Sequence, residues 1–188
     1  GDYVPESASS AGDWTAVTFK NALDMATGHY ELPGFQADEY GPIMAAFLDE
    51  SETYADKISN AFRFPYQQPA GQLWNYRTSD TFIVTRAMHN FLVQQEGSSA
   101  DIFKMMRDEV YIPLHLSAGA LASLRTDNRE SGFPFGGYGL FFTTDDIAKL
   151  ALFLNVDGGK IDGVQVLQPA LLAAALEQDA EYRGLNTS

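Results

Sequence analysis

The chain contains no cysteine. Disulfides, a thiolate nucleophile and Cys-ligated zinc are thereby excluded. It is also poor in positive charge. Lys and Arg number 12 against 25 Asp and Glu, a formal net charge of −13 over 188 residues. Nucleic acids are bound by cations that displace counterions from phosphates, so no nucleic-acid partner is expected. An anionic membrane surface is disfavoured for the same reason. No apolar run approaches the roughly 20 residues that span a bilayer, so no membrane partner is expected either. Histidine is scarce as well. His29, His89 and His115 are far apart and match no ligand spacing such as His-Glu-x-x-His, so no metal is expected. The first residues, Gly1-Asp2-Tyr3-Val4-Pro5-Glu6, carry neither the basic nor the apolar stretch of a secretory leader. They leave the compartment open.

Apolar surface, by contrast, is plentiful. Hydrophobic residues make up 45% of the chain and aromatics 13%, a composition that folds around a core. The length suits one domain or one large lobe of a bigger enzyme. The acidic excess favours solubility and says little about fold.

Local signals predict a mainly α chain with little strand. Residues 1–16 read as a loosely held lead-in, 17–178 as a helical lobe and 179–188 as a tail. Thr18 caps a first helix to Met25, with Gly28 as its left-handed stop. Pro33-Gly34 punctuates the connection that follows. Pro42 opens a second helix to Glu50, with Ile43, Ala46 and Phe47 on one face. Glu52–Phe62 forms a third, with Ile58, Ala61 and Phe62 inward. Ser79–Gln95 is the clearest helix, with Phe82, Ile83, Arg86, Met88, Phe91 and Leu92 at helical spacing and Gly97 at its end. Ser98 or Ser99 caps a helix over Ala100–Val110. Thr143 or Thr144 caps a helix through Asn155, and Asp146, three residues after Thr143, approximates a capping box. Gly158–Val164 predicts a small hairpin, and Pro169 starts a last helix through Gln178. The acidic runs Asp38-Glu39 and Asp49–Glu52 read as solvated faces.

Three segments, in this order, resemble the β-lactamase-like, penicillin-recognising serine hydrolases. That superfamily includes class C β-lactamases, DD-peptidases, family VIII esterases and 6-aminohexanoate-dimer hydrolases. The first segment is Asp2–Glu6 followed by Val17–Gly28. The second is Pro69-Ala70-Gly71-Gln72-Leu73-Trp74-Asn75-Tyr76-Arg77-Thr78-Ser79-Asp80. The third is Gly136-Gly137-Tyr138-Gly139-Leu140-Phe141-Phe142-Thr143-Thr144-Asp145-Asp146-Ile147, continued through Asp157–Leu167. No single segment is specific, but their order and spacing are. The third is most similar to the 6-aminohexanoate-dimer hydrolase and esterase branch.

The resemblance implies the helical lobe of a β-lactamase/transpeptidase-like fold. It also implies a reaction that hydrolyses an amide or ester through an acyl-serine, with no cofactor. Such members form the acyl-enzyme on a Ser-x-x-Lys serine, where one helical turn sets the amine beside the hydroxyl. The residues three before Lys20, Lys57, Lys104, Lys149 and Lys160 are Val17, Tyr54, Asp101, Asp146 and Asp157. Ser-x-x-Lys is therefore absent, as is a Lys-Thr-Gly-like strand. The expectation is a chain that begins after the first motif and ends before the last. Its missing α/β half would be a partner, and alone it would be catalytically silent.

By the same resemblance Tyr76 occupies the family's Tyr-x-Asn tyrosine, a proton-transfer group. Thr78 stands where an Asn is usual, a departure that disfavours β-lactam recognition and leaves ester or amide substrates. Trp74 and Tyr138 complete the candidate substrate wall, Trp74 as packing before contact. Without the resemblance, Tyr76 reads as an ordinary half-buried tyrosine in an aromatic turn with Trp74. Gly136, Gly137 and Gly139 do not fit a phosphate loop and serve tight turns. His29 sits in a loop that the resemblance sets within reach of the cleft, and His89 is a surface or core residue. Family members are often exported. The alternative is a stand-alone binding domain whose uncovered apolar face drives self-association. A helical bundle of unrelated function is a third reading.

Overall fold

The computed structural model describes residues 3–4, 14–32, 40–49, 53–122, 125–126 and 132–176. These residues form a mainly α protein with one two-stranded hairpin. The helices are α1 (Phe19–Leu23), α2 (Pro42–Leu48), α3 (Tyr54–Ala61), α4 (Thr78–Glu96), α5 (Ile102–Met106), α6 (Thr144–Asn155) and α7 (Pro169–Ala175). Strands β1 (Lys160–Ile161) and β2 (Val164–Gln165) pair antiparallel between α6 and α7. The chain divides into two compact units, 1–102 with 124–139, and 103–123 with 140–188.

Threonines start three of the helices. Thr18, Thr53 and Thr143 each accept from the backbone of the residue three on, and Asn21, Asp56 and Asp146 bond back to the cap. These reciprocal bonds satisfy amides that a helix start leaves orphaned. Pro42 and Pro169 open α2 and α7, where the missing N–H costs nothing.

The first unit gathers around α4. Helices α1 and α3 pack on α4, and α2 packs on α3. Phe82 of α4 is fully buried and meets Phe47 of α2 at 5.3 Å and Phe135 at 5.0 Å between ring centroids. Burying such a side chain contributes about 1.5–3 kcal/mol. Met44, Ile58, Ala61, Phe62, Phe64 and Ile83 complete this core, together with Val4 and Trp14 from the N-terminal segment. Lys57 of α3 is buried too, its ammonium donating to the carbonyls of Phe47 at 3.0 Å and Asp49 at 2.8 Å. The second unit has its own core of Phe103, Tyr111, Leu116 and Ala120.

Several expectations need correction. Helix α1 ends at Leu23, and the left-handed residue after it is Met25 (φ 50°), not Gly28. Gly28 is left-handed as well (φ 76°), for a different reason. A Cβ there would lie 2.0 Å from the Gln68 carbonyl oxygen, so only glycine lets the two backbones approach. The face of α4 was drawn too wide: Met88 and Phe91 are 41% and 45% exposed, while Val84 and Ala87 are buried. Arg86, placed on that face, lays its guanidinium over the rings of Tyr54 and Phe133. Helix α5 starts at Ile102, two residues late, and widens into a π-helical turn over Arg107–Tyr111. The hairpin turns on Asp162 and Gly163, both at positive φ, the pair that a tight two-residue turn requires. Pro33-Gly34, Asp38-Glu39, Glu50–Glu52 and the 179–188 tail lie outside the described residues.

Candidate active site

The turn that precedes α4 is held from both sides. The amide of Gly71 donates to the Ala26 carbonyl at 2.7 Å, and the amide of Asn75 donates to the Met25 carbonyl at 2.8 Å. Gly28 closes the same seam against Gln68 and Pro69. The two resemblance-bearing segments around residues 17–28 and 69–80 are thus sewn together through their backbones. The Asn75 side chain adds a 2.8 Å bond to the Leu32 carbonyl.

Trp74 and Tyr76 are half-buried on this turn, their rings 6.4 Å apart and tilted by 51°. Thr78 follows as the first residue of α4 and is buried. Its carbonyl accepts the Thr81 hydroxyl at 2.9 Å. The start of the third segment lies against α4. A Cβ on Gly137 would fall 2.5 Å from Thr78 Cγ2, and one on Gly136 would fall 1.6 Å from Thr85 Oγ1. These glycines let the turn 136–139 seat directly on the helix. Tyr138, next in that turn, packs its ring on Phe135 at 4.6 Å and stays 46% exposed. Trp74 therefore lies beside Tyr76, and Gly137, the chain neighbour of Tyr138, lies against Thr78.

Between Tyr76 and Thr78 sits a residue that the sequence reading passed over. Arg77 is 1% exposed, and its Nη2 donates to both carboxylate oxygens of Asp80, at 2.7 Å each. The same nitrogen donates to the Thr27 hydroxyl. The guanidinium lies over the Phe64 ring at 4.7 Å. Nε and Nη1 are buried and meet no acceptor among the described residues. A charge taken out of water needs a partner, and Asp80, fully buried one helical turn on, supplies it. An arginine with an Asp three residues later, ahead of the apolar Phe82-Ile83-Val84, was the signal available.

The histidines take other places. His29 does not face a cleft. It is fully buried, its Nδ1 lies 3.1 Å from the Thr27 carbonyl, and its ring stacks on Trp14 at 4.0 Å. An aromatic neighbour and a backbone acceptor make the core a better environment for it than the loop surface. His89 is half-buried with its ring edge-on to Phe133 at 4.7 Å, and burial lowers its pKa from the usual value. His115 is an exposed turn residue at φ 54°. No group of three or more His, Asp or Glu side chains is placed to hold a metal among the described residues.

Asp146 has a structural part. Its carboxylate accepts from the Ser117 amide and hydroxyl and from the Thr143 amide and hydroxyl. The Ser117 hydroxyl first, and then the other three donors, hold its pKa far below the ordinary carboxylate range. Asp145 is exposed and pairs with Lys149 one turn on.

No protein-family model matches the chain, and no curated protein matches it.

Proposed function

We propose that this chain is the helical substrate-cleft lobe of a serine hydrolase of the β-lactamase-like superfamily, acting on an amide or ester through an acyl-serine. The observation that carries the reading is the convergence of three separate segments on one short stretch. Residues 17–28 bond to the turn at 71–75, and the glycine turn 136–139 seats on Thr78. Tyr76 stands in the middle of that junction, with its flanking residues fixed on both sides. In this reading its phenol passes a proton to the leaving group. Thr78 and Tyr138 border the substrate, and Trp74 packs behind Tyr76. The nucleophile and its lysine belong to a Ser-x-x-Lys helix outside this chain.

The test is ester hydrolysis by the protein expressed from its complete reading frame, with 4-nitrophenyl butyrate as substrate. The expected result is a serine acyl adduct seen by mass spectrometry on a Ser-x-x-Lys motif. Tyr76→Phe should lower kcat by about 10²- to 10⁴-fold, the usual worth of a positioned proton-transfer group. A frame without Ser-x-x-Lys, or an unaltered kcat in Tyr76→Phe, refutes the reading.

A second reading, a binding or self-associating domain, is favoured by one feature of the second unit. Ile147, Ala148, Ala151 and Leu152 of α6 are all exposed, and so are Phe141 and Val156 beside that helix. Apolar patches of this kind often mark contact surfaces. Sedimentation across a wide concentration range separates the two. A monomer at every concentration counts against self-association.

A further inference from the structure

Residues 74–77 lead into α4 with alternating burial. Trp74 and Tyr76 are half-buried, while Asn75 and Arg77 are 2% and 1% exposed. A period of two belongs to an extended chain, which sends successive side chains to opposite sides. Arg77 has such an extended backbone, with φ −150° and ψ 128°. Tyr76 therefore leaves the chain on the side away from two inward anchors, one before it and one after.

The anchors differ in reach. Asn75 donates to the Leu32 carbonyl at 2.8 Å. Arg77 holds two elements at once. Its Nη2 donates to both carboxylate oxygens of Asp80 in α4 and to the hydroxyl of Thr27, which lies in the segment that the turn is bonded to. Phe64 covers the guanidinium face. Replacing a buried ion pair by apolar side chains of similar volume is often neutral or stabilising. Stability therefore does not account for a cation here, with Nε and Nη1 lacking an acceptor among the described residues. Direction does. Apolar contact is non-directional, whereas bonds to a carboxylate and a hydroxyl fix where the side chain lies.

We propose that Arg77, held by Asp80 and Thr27, is a positioning residue for Tyr76: it fixes the stretch of backbone from which the phenol projects, and so the direction in which the phenol is presented. No bond forms or breaks at Arg77, and its charge stays with Asp80. The consequence for rate rests on the reading of Tyr76 as the proton-transfer group, where a misplacement of about 1 Å can cost 10²-fold.

The test uses the protein from its complete reading frame, with fluorotyrosine at position 76 for ¹⁹F NMR and unlabelled protein for kinetics. The perturbing variant is Arg77→Met/Asp80→Leu, which removes both charges and keeps the space filled. The fluorine signal at position 76 should move or split in it. Fluorotyrosine at Tyr111, in the core of the second unit, should not respond. With ethyl butyrate, whose leaving ethoxide needs a proton, kcat should fall about 10²-fold with KM unchanged. Added to Tyr76→Phe, the same two substitutions should lower kcat no further, because Arg77 acts through that phenol. An unmoved fluorine signal overturns the proposal, and so does a loss of kcat as large in Tyr76→Phe as in the wild type. If Tyr76→Phe alone leaves kcat unaltered, the proton-transfer reading fails, and the fluorine signal still decides whether Arg77 orients Tyr76. Should the double variant fail to fold, the near-isosteric Thr27→Val removes one bond to Arg77. A displaced fluorine signal in that variant supports the proposal, and an unmoved one overturns it.

Discussion

Ser117 donates twice to Asp146, its amide to Oδ1 and its hydroxyl to Oδ2, each across 2.6 Å. The same carboxylate closes the capping box of α6 by accepting from Thr143, so one side chain ties the 117 loop to a helix start. All four donors want an ionised acceptor. Asp146→Asn puts an amide N–H in front of one of them and should lower the urea midpoint. Ser117→Ala, which removes one hydroxyl and leaves three of the four donors, should lower it less. The pH dependence has a definite sign. Because the folded pKa is depressed, this carboxylate's stabilisation is fully present above its unfolded value of about 3.9. It is lost as pH falls from there towards the folded value. The gap in urea midpoint between wild type and Asp146→Asn should therefore hold from pH 7 to about pH 5 and close in acid. A gap that does not change with pH would mean that packing, not ionisation, sets it.

Arg77 and Asp80 make a sharper test, because both are buried. Arg77→Met removes the cation and leaves Asp80 as a charge in the core, with a loss of roughly 3–5 kcal/mol. The double variant Arg77→Met/Asp80→Leu removes both charges, and with them the unfilled Nε and Nη1 donors. It should recover most of that loss. Urea unfolding of the two single variants and the double variant gives the coupling directly. Additive losses would show that the pair does not act as a unit.

The contrast between Asp146 and Arg77 marks what the sequence could carry. Thr143 and Asp146 stand three apart, and a capping box is a local pattern, so that helix start was legible to within one residue, with Thr143 rather than Thr144 as the cap. The same holds for Pro42, Pro169 and the Gly97 stop of α4. What failed was whatever depends on contacts distant in sequence. Gly28 was read as a helix stop because its approach to Gln68 comes from a segment forty residues on. Arg77 drew no notice because its partner Thr27 is 50 residues away and Phe64 packs on it through space. The π-helical turn at Arg107–Tyr111 had no local sign at all. At the candidate site, Trp74 beside Tyr76 was legible as an aromatic turn. The seating of Gly137 on Thr78 was not, since it joins residues almost sixty apart.

Two glycines at positive φ should respond differently to a methyl group. Gly97, at φ 98°, has open space where a Cβ would go. Gly97→Ala should cost only the strain of a backbone region that is essentially glycine's alone (ψ 174°), roughly 1–3 kcal/mol. Gly28, at φ 76°, would put its Cβ 2.0 Å from the Gln68 oxygen and 3.1 Å from the Gln68 carbonyl carbon. Backbone on both sides cannot step aside as a side chain can. Gly28→Ala should therefore cost roughly 3 kcal/mol or more and loosen the seam that carries Tyr76. Thermal unfolding of the two variants reads the difference, and equal losses would mean the 28–68 approach relaxes freely.

The chain by itself should turn over neither 4-nitrophenyl butyrate nor a chromogenic cephalosporin, and should give no burst. An acyl-serine needs an accessible hydroxyl with a base beside it. Ser79 is the serine nearest Tyr76 in sequence, and it is fully buried with Phe82 three residues on, where the lysine would stand. Ser117 is committed to Asp146, whose four donors hold it as an acceptor and leave it a poor base. No lysine in the chain follows a serine at the Ser-x-x-Lys spacing. A stoichiometric burst from the purified polypeptide, mapped by mass spectrometry to one of its own serines, would overturn the proposal that the nucleophile lies outside this chain. The serine found in that way would then be the nucleophile.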